Sequence, residues 1–588
     1  MRMLRLVLSI LIVFIAFTVR AARPAEAQQP APASVRGVVV SAGSNAGLTK
    51  ANVEVRSIDG GNIIARFVTD SEGQFFFQGI RPGLYRLMVT RDGYIKSEYG
   101  QQHPGGPPLN LTLMPGQALT GVRLVMTRGG VISGHITDRG QAAGIADVVA
   151  LKISYVDGLP TLTEVLSAKT DDLGAYHIFW LAPGRYYVVT MVWDTVAETF
   201  PVYVTPDGPD RGENYIQRRT LRAVLNRALS SGAADNEAHV PIYFPGTLDP
   251  QVAAAIEIRP GSEVRNIDID ASPLPIHHIR GRITGLPPNL TERPGGILIP
   301  LGPRMSATDS IFVSEGQAEL SGDFEISRVA GGSYMLFAGT DDGKRIGRVQ
   351  VTVRDQDLDV VVPLTGAITV NGHVTIERQE GTASSGPQMK DFEIIIRADA
   401  INEGGSESVN ADGSFSLMDL PPWDYRILVS PSLTPAGQKP PYVPPVLQTS
   451  YVKSIRIGEY DVLNGGLHIV DTPPGPIEVV IGTDAGTLEG RVINDRQQAV
   501  GSIWVSLIPD SSLRYRVNHK FVSTDTNGRF QLQGLAPGDY HLFAIEDAEI
   551  GSWQDPGFMR DYESRGTAVH ISPNGKIAID VVSIPPRN

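Results

Sequence analysis

The chain has no cysteine among its 588 residues. That removes disulfides, thiol nucleophiles, zinc–thiolate sites and lipid-modified cysteine together. Each folded unit must then be held by its apolar core alone, which suits units of about 100 residues better than small stapled ones. Positive charge is also short: 51 Lys and Arg against 63 Asp and Glu leave a net charge of −12, and no basic stripe carries interleaved aromatics. This argues against an electrostatic grip on nucleic acid. Catalytic patterns are missing as well. There is no H-E-x-x-H set, no G-x-S-x-G elbow, no phosphate loop and no dinucleotide fingerprint. His277 and His278 are adjacent, so on a strand they face opposite sides and do not chelate together. No catalytic residue, no metal and no cofactor is therefore assigned, and a non-enzyme is expected.

Long hydrophobic runs are limited to one. Arg2 and Arg5 form a basic start, Leu6 to Val19 is apolar apart from Ser9 and Thr18, and Ala25-Glu26-Ala27 is a small-x-small site. A run this short reads as a cleaved secretory signal over residues 1–27, the alternative being an uncleaved N-terminal anchor. Four Arg and one Glu leave with it, taking the net charge from −12 to −15. No integral membrane span is expected after cleavage, and the expected location is secreted, periplasmic or cell-surface.

What the sequence does contain is a repeat. Five times a Gly is followed two residues later by an aromatic and, ten residues after that, by a Tyr: Gly73–Phe75–Tyr85, Gly174–Tyr176–Tyr186, Gly322–Phe324–Tyr334, Gly413–Phe415–Tyr425 and Gly528–Phe530–Tyr540. An invariant short spacing inside a variable long one marks a folded unit repeated with different loops. In the first copy, Val35 to Val40 reads as an opening strand and Ala51 to Val55 alternates as a half-buried strand does. Thr69 to Gly73 is a turn in which Asp bonds its own backbone and Gly takes positive φ. Gln74 to Gln78 and Tyr85 to Val89 are expected to form an antiparallel hairpin across the Pro82-Gly83 turn, with the ten-residue spacing holding its register. The opening strands carry Gly134, Gly281, Gly372 and Gly490 in turn, and each copy closes on a strand such as Val122 to Met126 or Ile577 to Val582.

Short strands, turns every 8–12 residues and almost no helix predict an all-β chain of about five tandem antiparallel sandwiches. The expected units span 34–127, 128–275, 276–365, 366–484 and 485–588. Apolar residues Ile216, Leu221, Val224, Leu225 and Leu229 predict one helical insertion at 213–231, inside the second unit. Short linkers restrict hinge motion, so a stiff elongated rod is expected.

T-D-x-x-G-x-[FY] followed by P-G-x-Y, after a G-x-[IV] opening strand, resembles the carboxypeptidase regulatory-like domain. The resemblance covers nearly the whole chain after residue 27 and is strongest in copies one, two and five. It implies a transthyretin-like, immunoglobulin-like sandwich grouped with carbohydrate-binding folds. In carboxypeptidases the domain accompanies a catalytic zinc domain, which this sequence lacks. The turn pattern also looks like that of collagen-adhesin B-type repeats. Their Lys–Asn isopeptide bond needs a Lys in the opening strand, and none of the five has one.

The repeated Tyr resembles the tyrosine corner of such sandwiches and reads as structural. Asp355, Asp357 and Asp359 alternate and suit calcium in spacing alone, without the Gly and distal Glu of a calcium loop, so they read as a solvated strand start. One loop position holds Gly79, Trp180, Arg328, Asp419 and Gly534 in the five copies. A position so tolerant is expected to be exposed, which makes Trp180 a candidate platform, since flat rings stack on the C–H faces of sugars. Trp423 replaces a turn Gly, with Asp424 beside it, and is a second candidate. The alternative for either Trp is packing against a neighbouring unit. The function expected is non-catalytic binding of polysaccharide or of an envelope protein; a structural spacer or interaction scaffold of the cell envelope is the alternative. A receptor fragment ranks last, because no amphipathic barrel strands follow the repeats.

Overall fold

The structure, a computed structural model, describes residues 30–58, 61–156, 159–192, 237–300, 304–305, 314–340, 344–377, 387–398, 404–420, 422–431, 448–470, 475–510 and 519–585. The expected signal at 1–27 and the expected helical insertion at 213–231 lie outside the described residues.

Strands dominate, and each copy uses one plan. Ala33–Ser41 lies between Gln74–Ile80, antiparallel, and Ala118–Met126, parallel. The trio recurs as Leu274–Thr284 with Asp323–Ala330 and Leu358–Pro363, as Ile368–Glu377 with Ser414–Leu420 and Ile477–Gly482, and as Gly486–Ile493 with Arg529–Leu535 and Lys576–Val582. In the second copy Gly130–Asp138 pairs with Ala175–Leu181, and two short strands, Glu263–Val264 and Ile269–Asp270, take the parallel place. A second, antiparallel sheet faces each trio, built in the first copy around Asn52–Ser57 and Gly83–Thr90. Because the closing strand runs parallel to the opening one, the chain leaves each unit at the end opposite to its entry. Linkers as short as residues 127–129 and 483–485 therefore suffice.

The expected hairpin does not form. The strand of the repeated aromatic and the strand of the repeated Tyr lie in different sheets: Gln74–Ile80 pairs with the opening strand, whereas Gly83–Thr90 pairs with Asn52–Ser57. The Pro-Gly turn carries the chain across the sandwich, and the ten-residue spacing fixes that arch. The Tyr braces it from inside. Tyr85, Tyr186, Tyr334 and Tyr540 each donate from the hydroxyl to the carbonyl four residues upstream, at 2.8, 2.7, 2.9 and 2.8 Å. Burial pushes the Tyr334 and Tyr540 hydroxyls up to about 12, so they stay protonated donors.

The rest of the motif is equally structural. The Asp70, Asp171 and Asp525 carboxylates each accept two backbone N–H bonds, at 2.8 to 3.0 Å, within their own turn. The preceding hydroxyls of Thr69, Thr170 and Thr524 accept from the N–H of Ala51, Ala146 and Ile503. The turn glycines have φ between +73° and +91°. In all five copies the repeated aromatic sits opposite the opening-strand glycine, as Gly37↔Phe75, Gly134↔Tyr176, Gly281↔Phe324, Gly372↔Phe415 and Gly490↔Phe530. The ring needs that space: a Cβ on Gly372 would lie 2.1 Å from Phe415 Cζ.

Buried side chains gather in a principal cluster for each copy. Successive units are also joined by strand pairing, Glu237–Ala238 with the start of Leu274–Thr284, and Arg304–Met305 with Leu159–Lys169.

The elongated rod is not what the chain forms. Residues 546–566 of the last unit return to the first two. Asp547 lies 3.0 Å from His103, Glu549 pairs with Lys152, and the Tyr155 hydroxyl donates to Asp555 at 3.1 Å. Short linkers hold whatever angle the packing at a joint sets, and nothing in them requires successive units to be collinear.

Candidate functional site

Strand Ala175–Leu181 of the second unit carries the site. Alternation turns Tyr176 and Ile178 into the core and His177 and Phe179 outward. The ladder with Gly130–Asp138 then slips between Ile178 and Leu181, leaving Phe179 and Trp180 in a bulge. Phe179 is 53% exposed and Trp180 54%. The His177 and Phe179 rings stack with centroids 5.6 Å apart and planes 8° apart.

The bulge has a backbone cost. Trp180 has φ +60°, and at the same place three of the other copies have Gly79 at +78°, Asp419 at +55° and Gly534 at +65°. Gly and Asp tolerate the left-handed region; a bulky Trp there is strained, by about 1 kcal/mol or more. One further strand completes the surface. Glu263–Val264 runs beside Gly130–Asp138, and its register places Glu263 level with Val131, next to Ser133, which faces His177. Glu263 accepts from Arg265 at 2.6 Å. That bond, chiefly, and the nearby His177 hold the Glu263 carboxyl below the usual carboxylate range despite slight desolvation. The result is an aromatic ledge: a stacked His177–Phe179 pair, the exposed Trp180 next along the strand, and the Glu263–Arg265 ion pair near His177. It lies at the seam between the first two units, where a Cβ on the linker residue Gly129 would come 2.6 Å from Trp180 Cα.

Trp180 is placed as its loop position suggests, exposed. Trp423 is not. It is 4% exposed, with Phe337 of the third unit stacked on one side at 4.7 Å and 17°, and the Arg348 guanidinium 5.6 Å from its ring centre. A Trp in place of a turn Gly fills the joint between units three and four because the joint is close enough to take it. Asp424 is occupied too, accepting from His468 Nδ1 at 2.8 Å with Arg348 3.8 Å away. These two residues belong to a joint, on a different unit from Trp180. Asp355, Asp357 and Asp359 do not alternate along one strand, since the strand begins only at Leu358. Asp357 accepts from the His278 N–H at 2.9 Å and from Arg280 at 3.1 Å, anchoring the third opening strand. Among the described residues no group of three or more His, Asp or Glu is placed to hold a metal, and no helix is long and apolar enough to cross a membrane.

His177 and Phe179 were not singled out from the sequence. Their signal was present in the alternation of Tyr176-His177-Ile178-Phe179, which puts two rings on the outer face.

The Trp180 strain has a direct consequence. Trp180→Asn is expected to leave the second unit as stable as before or to stabilise it by about 0.5–1 kcal/mol, because Asn tolerates the left-handed conformation and the indole is half exposed. Thermal unfolding of the two proteins checks this; a loss beyond 1 kcal/mol would make the indole a packing residue.

Residues 34–127, the first copy, match the family model of the carboxypeptidase regulatory-like domain. Among solved structures, the chain is similar to a streptococcal ancillary pilin, at 15% identity over 52% of this chain and 99% of that one, with a TM-score of 0.17. It is similar to the minor pilin of Streptococcus agalactiae, at 11% identity over 41% and 96%, TM-score 0.20. The major pilin subunit of Bacillus cereus aligns at 10% identity over 57% and 99%, TM-score 0.13. No curated protein matches the chain.

Proposed function

We propose that the chain is an exported, non-catalytic scaffold of β-sandwich units whose second unit presents an aromatic ledge to polysaccharide. The observation that carries this reading is Trp180: a large exposed ring held in a strained backbone conformation where three of the other copies place Gly or Asp. Strain retained at a surface position, with no core packing to offset it, is what a binding residue shows. The stacked His177 and Phe179 extend the flat surface, and the Glu263–Arg265 pair supplies acceptors and donors at its edge, the mixture of ring faces and polar groups that sugar hydroxyls and C–H faces require. The scaffold part rests on the joints, where strand pairing and the buried Trp423 fix one unit against the next. Export is the setting that the basic-then-apolar segment before residue 28 suits.

A glycan array probed with the intact chain, followed by calorimetry on any hit, tests the reading. Phe179→Ala with Trp180→Ala is expected to weaken binding at least about tenfold, or ~1.4 kcal/mol. An array silent throughout, or a variant that binds unchanged, removes polysaccharide and leaves the scaffold with a protein partner.

A further inference from the structure

We infer that residues 546–566 form an electrostatic clasp that reversibly closes the chain on itself, independently of any ligand on the aromatic ledge. The segment is a rigid presenter. Trp553, Met559 and Tyr562 pack with Ile508, Phe543 and Ile545 in a satellite core beside the main core of the last unit. Outside that core it offers Asp547, Glu549 and Asp555, and each meets a partner far away in sequence: His103 on the first unit, Lys152 and Tyr155 on the second. Lys152 is itself held in place, its Nζ 6.0 Å from the ring centre of Tyr186. Burial, and then Asp555, push the Tyr155 hydroxyl well above its ordinary pKa, so it remains a donor. The contact is close as well as charged. A Cβ on Gly551, at φ +86°, would lie 2.9 Å from Tyr155 Cβ.

This interface differs in kind from the joints between consecutive units. The joint of units two and three holds by strand pairing and that of units three and four by a buried aromatic stack, which salt leaves largely alone, so the last unit turns about its own linker at residues 483–485. The clasp holds chiefly by side-chain charges, with Lys152 23% and Glu549 46% exposed, and interactions of that sort are weak singly and screened by salt. The clasp is therefore the contact that opens first, and opening it changes the reach of the whole chain while every unit stays folded.

One measurement tests it. Small-angle scattering on the wild-type chain is expected to give a smaller radius of gyration at low salt than at 1 M, where the screening length is about 3 Å. Lys152→Glu and Glu549→Lys are each expected to be open already at low salt, and the double variant to close again. A radius that ignores salt and both charge reversals, or a double variant that stays open, would overturn the clasp.

Discussion

Replacing Gly490 by valine is expected to unfold the last unit, at a cost of about 3 kcal/mol or more. The opening-strand glycine has no space on either side. A Cβ on Gly490 would stand 1.8 Å from the Ile579 carbonyl oxygen of the parallel closing strand and 3.0 Å from Phe530 Cζ. Neither neighbour can give way easily. The carbonyl belongs to a ladder that runs from Thr487↔Lys576 to Ile493↔Val582, and the ring is locked in the core. Differential scanning calorimetry of the full chain should show the component from the last unit lost or strongly lowered while the remainder persists. Gly144→Ala is the matched control: nothing lies within 4 Å of a Cβ there, and the change is expected within about 0.5 kcal/mol of neutral.

Trp423→Ala should have the second largest effect, about 3–5 kcal/mol, as for other fully buried aromatics. Its distinguishing mark is that two units feel it. The indole counts in the core of the fourth unit, yet the ring stacked on it, Phe337, comes from the third. Truncation should lower the fourth unit and also uncouple it from the third, so that a shared unfolding transition separates into two. Limited proteolysis between residues 364 and 368, where the two units meet, should rise in parallel. A single undivided transition in the variant would show that the joint is held by something other than this stack.

The sequence revealed the frame better than the way its pieces connect. Gly–aromatic–Tyr spacing was enough to find the repeat and to read the Tyr as a brace, because its partner is the carbonyl four residues upstream and so is local. The same spacing suggested a hairpin, and there it misled: ten residues across a Pro-Gly turn fit an arch between two sheets as well as a ladder within one, and only the pairing of Gly83–Thr90 with Asn52–Ser57 separates them. Trp180 could be found because its loop position varies among the copies. Trp423 stood out for another reason, replacing a turn Gly that the other copies keep, but it is buried, since a departure at a turn tip arises from contact with a neighbouring unit as readily as from exposure to solvent. The clasp was beyond reach altogether. Tyr155 and Asp555 are 400 residues apart, and no periodicity links them.

These outcomes share a rule: residues that every copy keeps hold the fold, and departures are either joints or binding surface. Trp180→Asn tests that rule most directly, measured twice on the same protein, once by thermal unfolding and once by glycan binding. The expected result is stability equal to or above wild type with binding weakened at least about tenfold. Lost stability with binding retained would contradict it, making Trp180 part of the frame and leaving the ledge without a function.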